Sequence, residues 1–403
     1  MRILHVIDTL SPAAGGPPEA IRQLVRAYEQ EVAGARIEVV CLDRPGEPFL
    51  SGIPCPVHAL GQTVLGRFAF SPRLWRWLHA HANRFDVVLM NGIWSFPDIA
   101  VRSAARRSGV PYGVFVHGAL DPWFNRAYPL KRLKKMLYWP MQYRVLHDAA
   151  AVFFTTTIER DLAQTSFRPS RWNSIVIPYG ITDYGESAED SARQVELFYG
   201  ATPALRGRNY LLFLGRIHEK KGCDLLLEAF GRQASHRADV DLVIAGPDQG
   251  GLQSKLKAQA DRLGLGGRVH WPSMLRGDLK WGAVRACEAF VLPSHQENFG
   301  ISVVEALAAG RPVLISNQVN IWPEIEADGV GLVEEDTLAG TERLLHRWFE
   351  TNSAEREAMA TRARPCFLAR YTMNRTASVI NEIFGPQRVQ SETRSGKLEI
   401  AQS

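Results

Sequence analysis

The sequence alternates, almost from end to end, between short apolar runs of strand type and longer stretches with helical periodicity. In the first half we predict strands at 2–7, 36–41, 86–90, 112–117, 151–155 and 174–178, and helices at 18–31, 71–83, 97–108, 129–147 and 157–165. In the second half we predict strands at 210–215, 240–245, 268–271, 289–292, 312–315 and 331–333, and helices at 222–235, 251–263, 276–286, 301–309 and 337–349. Such alternation predicts βαβ units, and therefore parallel sheets with helices on both faces.

A length of 403 residues favours two domains over one. The alternation stops at 183–207, where acidic residues, Gly and Ser give way to Gly, Pro and Arg, so this segment predicts a linker with room for one short helix. The domains would then be 1–182 and 208–370. The end of the chain is helical in pattern over 353–384, with a kink or break at Pro365. Its last helix, about 371–385, is a candidate to pack back on the first domain, and 386–403 predicts a flexible tail.

The predicted fold class is α/β, with two doubly wound Rossmann-like domains. Ligands of such sheets lie outside the carboxyl ends of the strands. Two of these edges facing each other would form a cleft between the domains.

Composition excludes several classes of protein. A hydrophobic content of 46% and a charged content of 22% exclude wholesale disorder. The apolar runs fall short of the ~18 residues that a membrane span needs, and 1–7 is more typical of a first strand than of a signal peptide. Five scattered cysteines without a CxxC pair favour a reducing cytosol over a disulfide scaffold or a zinc site.

The net charge of +5 is distributed unevenly. Residues 1–182 carry 21 Lys+Arg and 13 Asp+Glu, whereas the remainder carries 26 and 29. A basic first half indicates an anionic partner such as phosphate, nucleic acid or a membrane surface, although a solvated basic face is an equally good reading at this point.

The segment 290–316, FVLPSHQENFGISVVEALAAGRPVLIS, is the most informative one. A predicted strand ends at Pro293, a polar loop follows, and a helix begins near Ile301. The amides of Ile301 and Ser302 would be unpaired at the start of this helix, which favours an anion there. Glu297 and Glu305 are separated by seven residues. The structural alternative makes Glu297 a partner of the helix dipole and Glu305 an ordinary structural acid.

A second segment, 211–222, reads LLFLGRIHEKKG and runs from a strand into a basic turn. Arg216 offers a bidentate fork for phosphate, and Lys221 offers a mobile point charge. The alternative is a solvated turn in which Glu219 pairs with one of the lysines.

Together these segments resemble the retaining glycosyltransferases of family four, which have the GT-B fold. The E-x7-E pattern, Glu297 to Glu305, and the LGR…KKG pattern carry the resemblance. It implies that Arg216 and Lys221 neutralise the diphosphate of a nucleotide sugar, that Glu297 contacts the donor sugar, and that Glu305 accepts hydrogen bonds from the ribose hydroxyls. It implies further donor contacts at Gly16, Trp271, Asn298, Phe299, Gly300, Ile301 and Ser302, and no metal or other cofactor.

The first half carries matching features after three predicted strands. Gly15 and Gly16 follow the first strand, where the resemblance implies an approach to the diphosphate and the alternative is a simple helix start. His117 ends a later predicted strand, where the resemblance implies a catalytic residue beside the donor sugar and the alternative is a histidine packed in the core. Asn91 departs from the histidine that relatives often carry in the corresponding loop.

A basic amphipathic helix is predicted over 126–144, with six Lys and Arg residues and no acid. Lys131, Arg132, Lys134 and Lys135 are candidates for contact with a membrane surface, since Trp and Tyr are interleaved with them. The alternative is a helix packed on the core with a solvated lysine face. Nucleic acid is disfavoured because no nucleic-acid-binding module is recognisable. Asp239 and Asp241 imitate a DxD metal motif but lie at the start of a strand.

The function that we predict is a retaining glycosyltransferase, which moves a sugar from a nucleotide-diphosphate donor to a hydroxyl of a glycolipid or saccharide acceptor. We expect the acceptor to be lipid-linked and the protein to be cytoplasmic, bound peripherally at the inner face of the membrane. The alternatives are a non-catalytic subunit that binds sugar nucleotides and a sugar-nucleotide epimerase on the same fold. The sequence does not distinguish the base, the sugar or the acceptor.

Overall fold

A computed structural model describes residues 1–61, 63–64, 66–183, 185, 187–233, 237–248 and 250–385. The predicted tail 386–403, and Glu186 of the predicted linker, lie outside the described residues. The chain forms two compact units. Within the described residues, unit 1 comprises Met1–Thr182 and 372–385, and unit 2 comprises Asp183–Tyr371.

Unit 1 is built on a parallel sheet with the strand order β3-β2-β1-β4-β5-β6-β7. Its strands are β1 (Arg2–Ile7), β2 (Arg36–Cys41), β3 (Val57–Ala59), β4 (Val87–Asn91), β5 (Tyr112–Phe115), β6 (Ala151–Phe154) and β7 (Ser174–Val176). The central strands are buried on both faces, which is why they read as continuous apolar runs. The sequence analysis missed β3, a half-buried edge strand of three residues.

The helices of unit 1 begin where the sequence supplies caps and prolines. They are α1 (Gly16–Glu31), α2 (Pro72–His81), α3 (Phe96–Ser108), α4 (Pro122–Ala127), α5 (Pro129–His147) and α6 (Thr157–Ser166). Ser71 and Thr156 accept hydrogen bonds from first-turn amides of α2 and α6. The short α4 was not predicted. It begins at Asp121, whose side chain accepts a hydrogen bond from the Trp123 amide at 2.8 Å.

Unit 2 is also built on a parallel sheet, with the strand order β10-β9-β8-β11-β12-β13. Its strands are β8 (Asn209–Leu214), β9 (Val240–Ala245), β10 (Val269–His270), β11 (Ala289–Leu292), β12 (Val313–Ser316) and β13 (Gly331–Glu334). Its helices are α7 (Ala188–Ala201), α8 (Cys223–Gln233), α9 (Leu252–Arg262), α10 (Gly277–Ala286), α11 (Ile301–Ala308), α12 (Trp322–Ala327), α13 (Leu338–Glu350) and α14 (Ser353–Arg370).

The predicted linker 183–207 is wrong. Most of it is α7, a helix of 14 residues that belongs to unit 2 and packs against α10. The two helices lie so close that a Cβ on Gly282 would stand 2.0 Å from the carbonyl oxygen of Gln194. The acidic residues that suggested a linker are instead favourable in the first turn of a helix, where Ser187 caps the amide of Asp190.

The C-terminal helices also refine the prediction. Helix α14 continues through Pro365 to Arg370, so the chain does not break at that proline. A last helix, α15 (Met373–Phe384), belongs to unit 1 and packs on α1. The amide of Met373 donates to Ile181 O at 3.0 Å and the Thr376 hydroxyl to Pro178 O at 2.6 Å, which fixes the start of α15.

The order of each sheet reverses once, between β1 and β4 in unit 1 and between β8 and β11 in unit 2. Ligands of doubly wound sheets bind at such points, beyond the carboxyl ends of the strands. The loops after β8 and β11 are those of the two motifs. Of the helices in the described residues, none is long and apolar enough to cross a membrane.

Candidate active site

The loops after β8 and β11 lie against each other at the switch point of unit 2. The amide of His295 donates to Lys220 O at 2.8 Å. Gly222 has a φ of +66°, and a Cβ there would stand 2.2 Å from the carbonyl oxygen of Pro293. Only glycine satisfies both constraints, so the KKG glycine makes this close contact between the loops possible.

Lys221 and Glu297 form an ion pair at this contact, Nζ to Oε2. Their side chains are only 10% and 18% exposed. The backbone of Glu297 is fixed by two hydrogen bonds, from its amide to Gln318 O (2.9 Å) and from the Asn320 amide to its carbonyl (3.1 Å). Burial, and then the charges of Lys220 and Arg216, lower the pKa of Lys221. The Glu297 carboxylate, which contacts Nζ directly, offsets this by stabilising the ammonium form.

Helix α11 begins directly after this pair. Gly300 is its N-cap with a φ of +80°, and its carbonyl accepts the amides of Val303 and Val304. The amides of Ile301 and Ser302 precede these first intrahelical bonds, so they are placed to bind an anion. The ring of Phe299 is buried and meets Tyr371 edge-on at 5.8 Å, so donor contact by Phe299 would come from its backbone. Asn298 is half-buried in the same loop.

Glu305, on α11, is also paired with a lysine. Lys280 Nζ of α10 lies 2.7 Å from Glu305 Oε1, and the Glu305 side chain is 11% exposed. The sequence analysis did not select Lys280, because it belongs to no motif. The signal available was its helix, which begins at Gly277, shortly after the predicted donor contact Trp271.

The remaining donor-site candidates of unit 2 lie along the same sheet edge. Arg216 is half-buried directly after β8 and Gly215. Trp271 follows β10, two strands from β8, and Lys257 Nζ lies 5.9 Å from the centre of its ring. The structure therefore brings together Lys221, Glu297 and the start of α11, whereas Trp271 lies farther along the edge.

Asp239 and Asp241 lie at the opposite, amino-terminal end of β9. Asp239 Oδ1 accepts from Arg237 at 2.9 Å. Asp241 is fully buried, 2.7 Å from Arg208 Nε and 2.8 Å from His270 Nε2. These carboxylates hold the sheet edge together through arginine and histidine partners.

In unit 1, His117 follows β5 with a φ of +49°, a strained conformation for this residue. Its ring stacks on Phe115 at 5.6 Å and contacts Tyr179 edge-on at 6.1 Å. Glu159 anchors the turn by accepting the Gly118 amide at 2.6 Å. Burial lowers the pKa of His117 to about 4, so the imidazole is neutral at pH 7. Its Nε2 has no hydrogen-bond partner among the described residues.

The switch point of unit 1 carries two acids that the sequence analysis did not select. Ser95 Oγ donates to Asp8 Oδ1 at 3.1 Å, and the Trp94 amide donates to Asp98 Oδ2 at 2.9 Å. Burial raises the pKa of both acids, that of Asp98 to about 7. Trp94 itself has a φ of +78°, and its indole N–H donates to Ala119 O at 3.1 Å. Gly16, the candidate after β1, is the first residue of α1 and follows Gly15 with its φ of +91°.

Helix α5 exposes apolar as well as basic side chains. Leu130 is 87% exposed, Leu137 80% and Leu133 61%. Lys131, Arg132 and Lys134 are exposed beside them. Lys135 is less exposed than these residues, with Nζ 4.6 Å from the centre of the Trp94 ring, and its contact with a membrane stays a prediction. The opposite face of α5 buries Trp139, so the helix is both packed on unit 1 and apolar towards solvent.

Two family descriptions match this chain, one for each unit. Residues 15–180 match "Glycosyl transferase 4-like domain", and residues 201–365 match "Glycosyl transferases group 1". The chain belongs to the family-four type of glycosyltransferases. The expected GT-B fold and glycosyltransferase activity are confirmed.

Curated relatives of this glycosyltransferase extend over most of its length. The O-antigen chain mannosyltransferase C of Escherichia coli is 24% identical over 370 residues, which cover 90% of this chain and 93% of the relative. The GDP-mannose:cellobiosyl-diphosphopolyprenol alpha-mannosyltransferase of Xanthomonas campestris is 25% identical over 79% of each chain.

Solved structures of low sequence identity share the fold of the glycosyltransferase. HepE of Anabaena, in complex with UDP and glucose, superimposes with a TM-score of 0.74 and 18% identity, covering 97% of this chain and 100% of HepE. WaaG, a glycosyltransferase involved in lipopolysaccharide biosynthesis, has a TM-score of 0.69 and 19% identity over 95% of this chain and 100% of WaaG.

Proposed function

We propose that this glycosyltransferase is a retaining enzyme that moves a sugar from a nucleotide-diphosphate donor to a hydroxyl of a lipid-linked acceptor, in polysaccharide or glycolipid biosynthesis. The observation that carries the proposal is the buried Lys221–Glu297 pair beside the first amides of α11, at the switch point of unit 2. A cation, an acid and a helix N-terminus converge there on one sheet edge. A sugar diphosphate offers a matching set of groups, namely a dianionic leaving group and hydroxyls.

The leaving group needs positive charge in the transition state, because negative charge grows on the diphosphate as the sugar departs. In our proposal Arg216, Lys221 and the amides of Ile301 and Ser302 supply this charge, so we expect no metal ion. Electrostatic stabilisation of this kind is commonly the largest single contribution to catalysis. Glu297 would hold Lys221 charged and contact the sugar. Neutral His117 of unit 1 would exchange hydrogen bonds with sugar hydroxyls, since its pKa keeps it uncharged at pH 7.

Retention needs attack from the side of the ring that the leaving group occupies. No side chain of this site is assigned as a nucleophile. The departing phosphate oxygen would instead accept the proton of the incoming hydroxyl, while the new glycosidic bond forms and the sugar–phosphate bond breaks. The contribution of the protein is then to hold donor and acceptor in the reacting geometry.

The acceptor and its location rest on helix α5. The proposal places the acceptor on a membrane lipid and the enzyme peripherally on the cytoplasmic face, because the exposed leucines and basic residues of α5 suit an anionic membrane surface. The named relatives with O-antigen and diphosphopolyprenol acceptors support the same class of acceptor.

The test uses the purified full chain with UDP-, GDP- and ADP-sugars. Thermal shift identifies the donor, and transfer is then measured with membrane lipid extract as the acceptor source. The anomeric configuration of the product, read by NMR, must equal that of the donor. Glu297→Gln should reduce transfer by about 10²–10³-fold without loss of the folded state. Nucleotide binding without transfer would indicate a binding subunit, and conversion of the donor without acceptor would indicate an epimerase. Either result, or an inverted product, refutes the proposal.

A further inference from the structure

Lys135 differs from the other basic residues of α5. It is half-buried, whereas Lys131, Arg132 and Lys134 are exposed. Its ammonium lies 4.6 Å from the centre of the Trp94 ring, and that of Lys131 lies 4.0 Å from the centre of the Tyr128 ring. Among the residues that the structure describes, no carboxylate is within ion-pair distance of either ammonium.

This arrangement is unfavourable for an isolated protein. A partly desolvated ammonium is stable when an opposite charge lies nearby. Here burial, and then the positive charge of Lys131, lower the pKa of Lys135 to about 8. An aromatic ring attracts a cation but does not neutralise its charge. No acid is available along the chain from 122 to 147 either, since Asp121 and Asp148 bound this segment.

The two lysines lie on one face of α5. They are four residues apart, so their side chains are neighbours on successive turns. Both belong to the first two turns of the helix, where the helix dipole adds positive potential. Each ammonium lies over an aromatic ring, that of Lys131 over Tyr128 and that of Lys135 over Trp94, and such a contact leaves ammonium N–H donors for a ligand.

Lys135 connects the exposed surface of α5 with the switch point of unit 1, because its ammonium contacts Trp94. The exposed leucines lie on the same helix. Trp94 belongs to the loop after β4, at the carboxyl edge where the strand order reverses. A lipid anchored at the leucines, with its sugar at the carboxyl edge of the sheet, would pass its headgroup phosphates close to Lys135.

We propose that Lys131 and Lys135 bind the diphosphate of a lipid-linked acceptor, with one ammonium for each phosphate. This inference rests on the proposed function, because it specifies how the acceptor of that reaction is recognised. It also separates the roles of the basic residues on α5. The exposed Arg132 and Lys134 would meet lipid headgroups in general, whereas Lys131 and Lys135 would select a diphosphate.

The experiment measures binding of the full chain to three vesicle preparations. One is phosphatidylcholine alone, one contains phosphatidylglycerol, and one contains a polyprenyl diphosphate at the same total charge. Lys135→Met should weaken binding to the diphosphate vesicles by about 10-fold, which is the effect of losing one charge-assisted hydrogen bond. Binding to the phosphatidylglycerol vesicles should change by less than about 2-fold. Lys135→Arg should retain most of the affinity, and Arg107→Met, at an exposed cation of α3, should behave as wild type.

Inorganic pyrophosphate serves as a soluble competitor, and it should displace wild-type protein from diphosphate vesicles more strongly than inorganic phosphate does. Equal losses on both anionic vesicles, or no loss with Lys135→Met, would overturn the assignment. Thermal melting verifies that each variant is folded. Thermal shift with nucleotide sugars is measured in parallel. If the wild type binds none of them but Lys135→Met still shows the selective loss, the proposed function fails while the diphosphate site stands.

Discussion

Lys280 Nζ lies 2.7 Å from Glu305 Oε1, so each of the two glutamates of the E-x7-E pattern is paired with a lysine from another element. Glu297 is held by the loop after β8, and Glu305 by α10. The spacing of the pattern thus places one carboxylate before α11 and one on its second turn, each in a fixed ionic environment. The lysine partners fix the position of each carboxylate and neutralise its charge.

If Glu305 accepts hydrogen bonds from the ribose hydroxyls, as the family resemblance implies, Lys280→Met removes the partner that fixes its carboxylate. We expect this variant to raise the KM for the donor by about 10-fold while kcat changes little. The measurement compares the affinity of the protein for the nucleoside diphosphate of the donor with its affinity for the 2′,3′-dideoxy form. Wild type should prefer the ribose form, and Lys280→Met should lose most of this preference. Lys255→Met, at an exposed residue of α9, is the control. An unchanged preference would show that Lys280 does not position Glu305.

The Lys221–Glu297 pair should affect stability and activity differently. Each single variant, Lys221→Met or Glu297→Gln, leaves one buried partner unpaired, and we expect a loss of about 3 kcal/mol in the free energy of unfolding. The double variant removes both and should recover part of that loss. Transfer should fall strongly in all three, because the proposed function assigns to Lys221 part of the positive charge that stabilises the leaving group. Urea unfolding and turnover measured on the same samples provide the test, and strictly additive stability losses would contradict it.

Gly222→Ala should destabilise the protein by about 1–3 kcal/mol or more, since the φ of +66° is strained for alanine and its Cβ would meet the Pro293 carbonyl. Gly200→Ala is the matched comparison. Gly200 lies in α7, and a Cβ there meets nothing within 4 Å, so that variant should gain about 0.5–1 kcal/mol. Denaturant midpoints measure both effects. Equal effects at the two glycines would contradict the argument.

Much of the fold and of the candidate site was predictable from local signals. The central strands are continuous apolar runs, because both faces of a parallel sheet are covered. The loops that follow two such strands contain Lys221, Gly222 and Glu297. They were candidates because ligands of doubly wound sheets bind beyond the carboxyl ends of the strands. Edge strand β3 was missed because three half-buried residues leave no such run.

The remaining features depend on tertiary contacts that local pattern does not contain. The acidic residues around Ser187 are compatible with a solvated linker and with the first turn of a helix. The segment is a helix because it packs against α10, a contact that the local sequence does not indicate. The inward direction of Lys135 is set by Trp94, a residue 41 positions earlier in the chain. The pairing of Lys280 with Glu305 likewise joins two helices that share no motif.

Asp98 should make stability depend on pH. Burial raises its pKa from 3.8 to about 7 in the folded state. The protonated form is therefore favoured by folding, and this stabilisation is complete below pH 3.8 and is lost as the pH rises through 7. Asp98→Asn remains neutral and can still accept the Trp94 amide. We therefore expect the difference in Tm, variant minus wild type, to be more positive at pH 8 than at pH 5. Thermal melts at both values measure this, and an equal difference at the two pH values would contradict the raised pKa.

The exposed leucines of α5 should dominate membrane binding. Leu130 and Leu137 are 87% and 80% exposed, so replacing them removes little packing within unit 1. The double variant Leu130→Gln/Leu137→Gln should bind anionic vesicles at least about 10-fold more weakly, because apolar contact with the acyl region is lost. The binding that remains should fall steeply with salt, since the basic residues act through screened charges. Leu368→Gln, at a leucine of unit 2 that is 45% exposed, is the control. Vesicle sedimentation at low and high salt measures both effects. If the double variant binds as well as wild type at high salt, α5 does not insert its leucines.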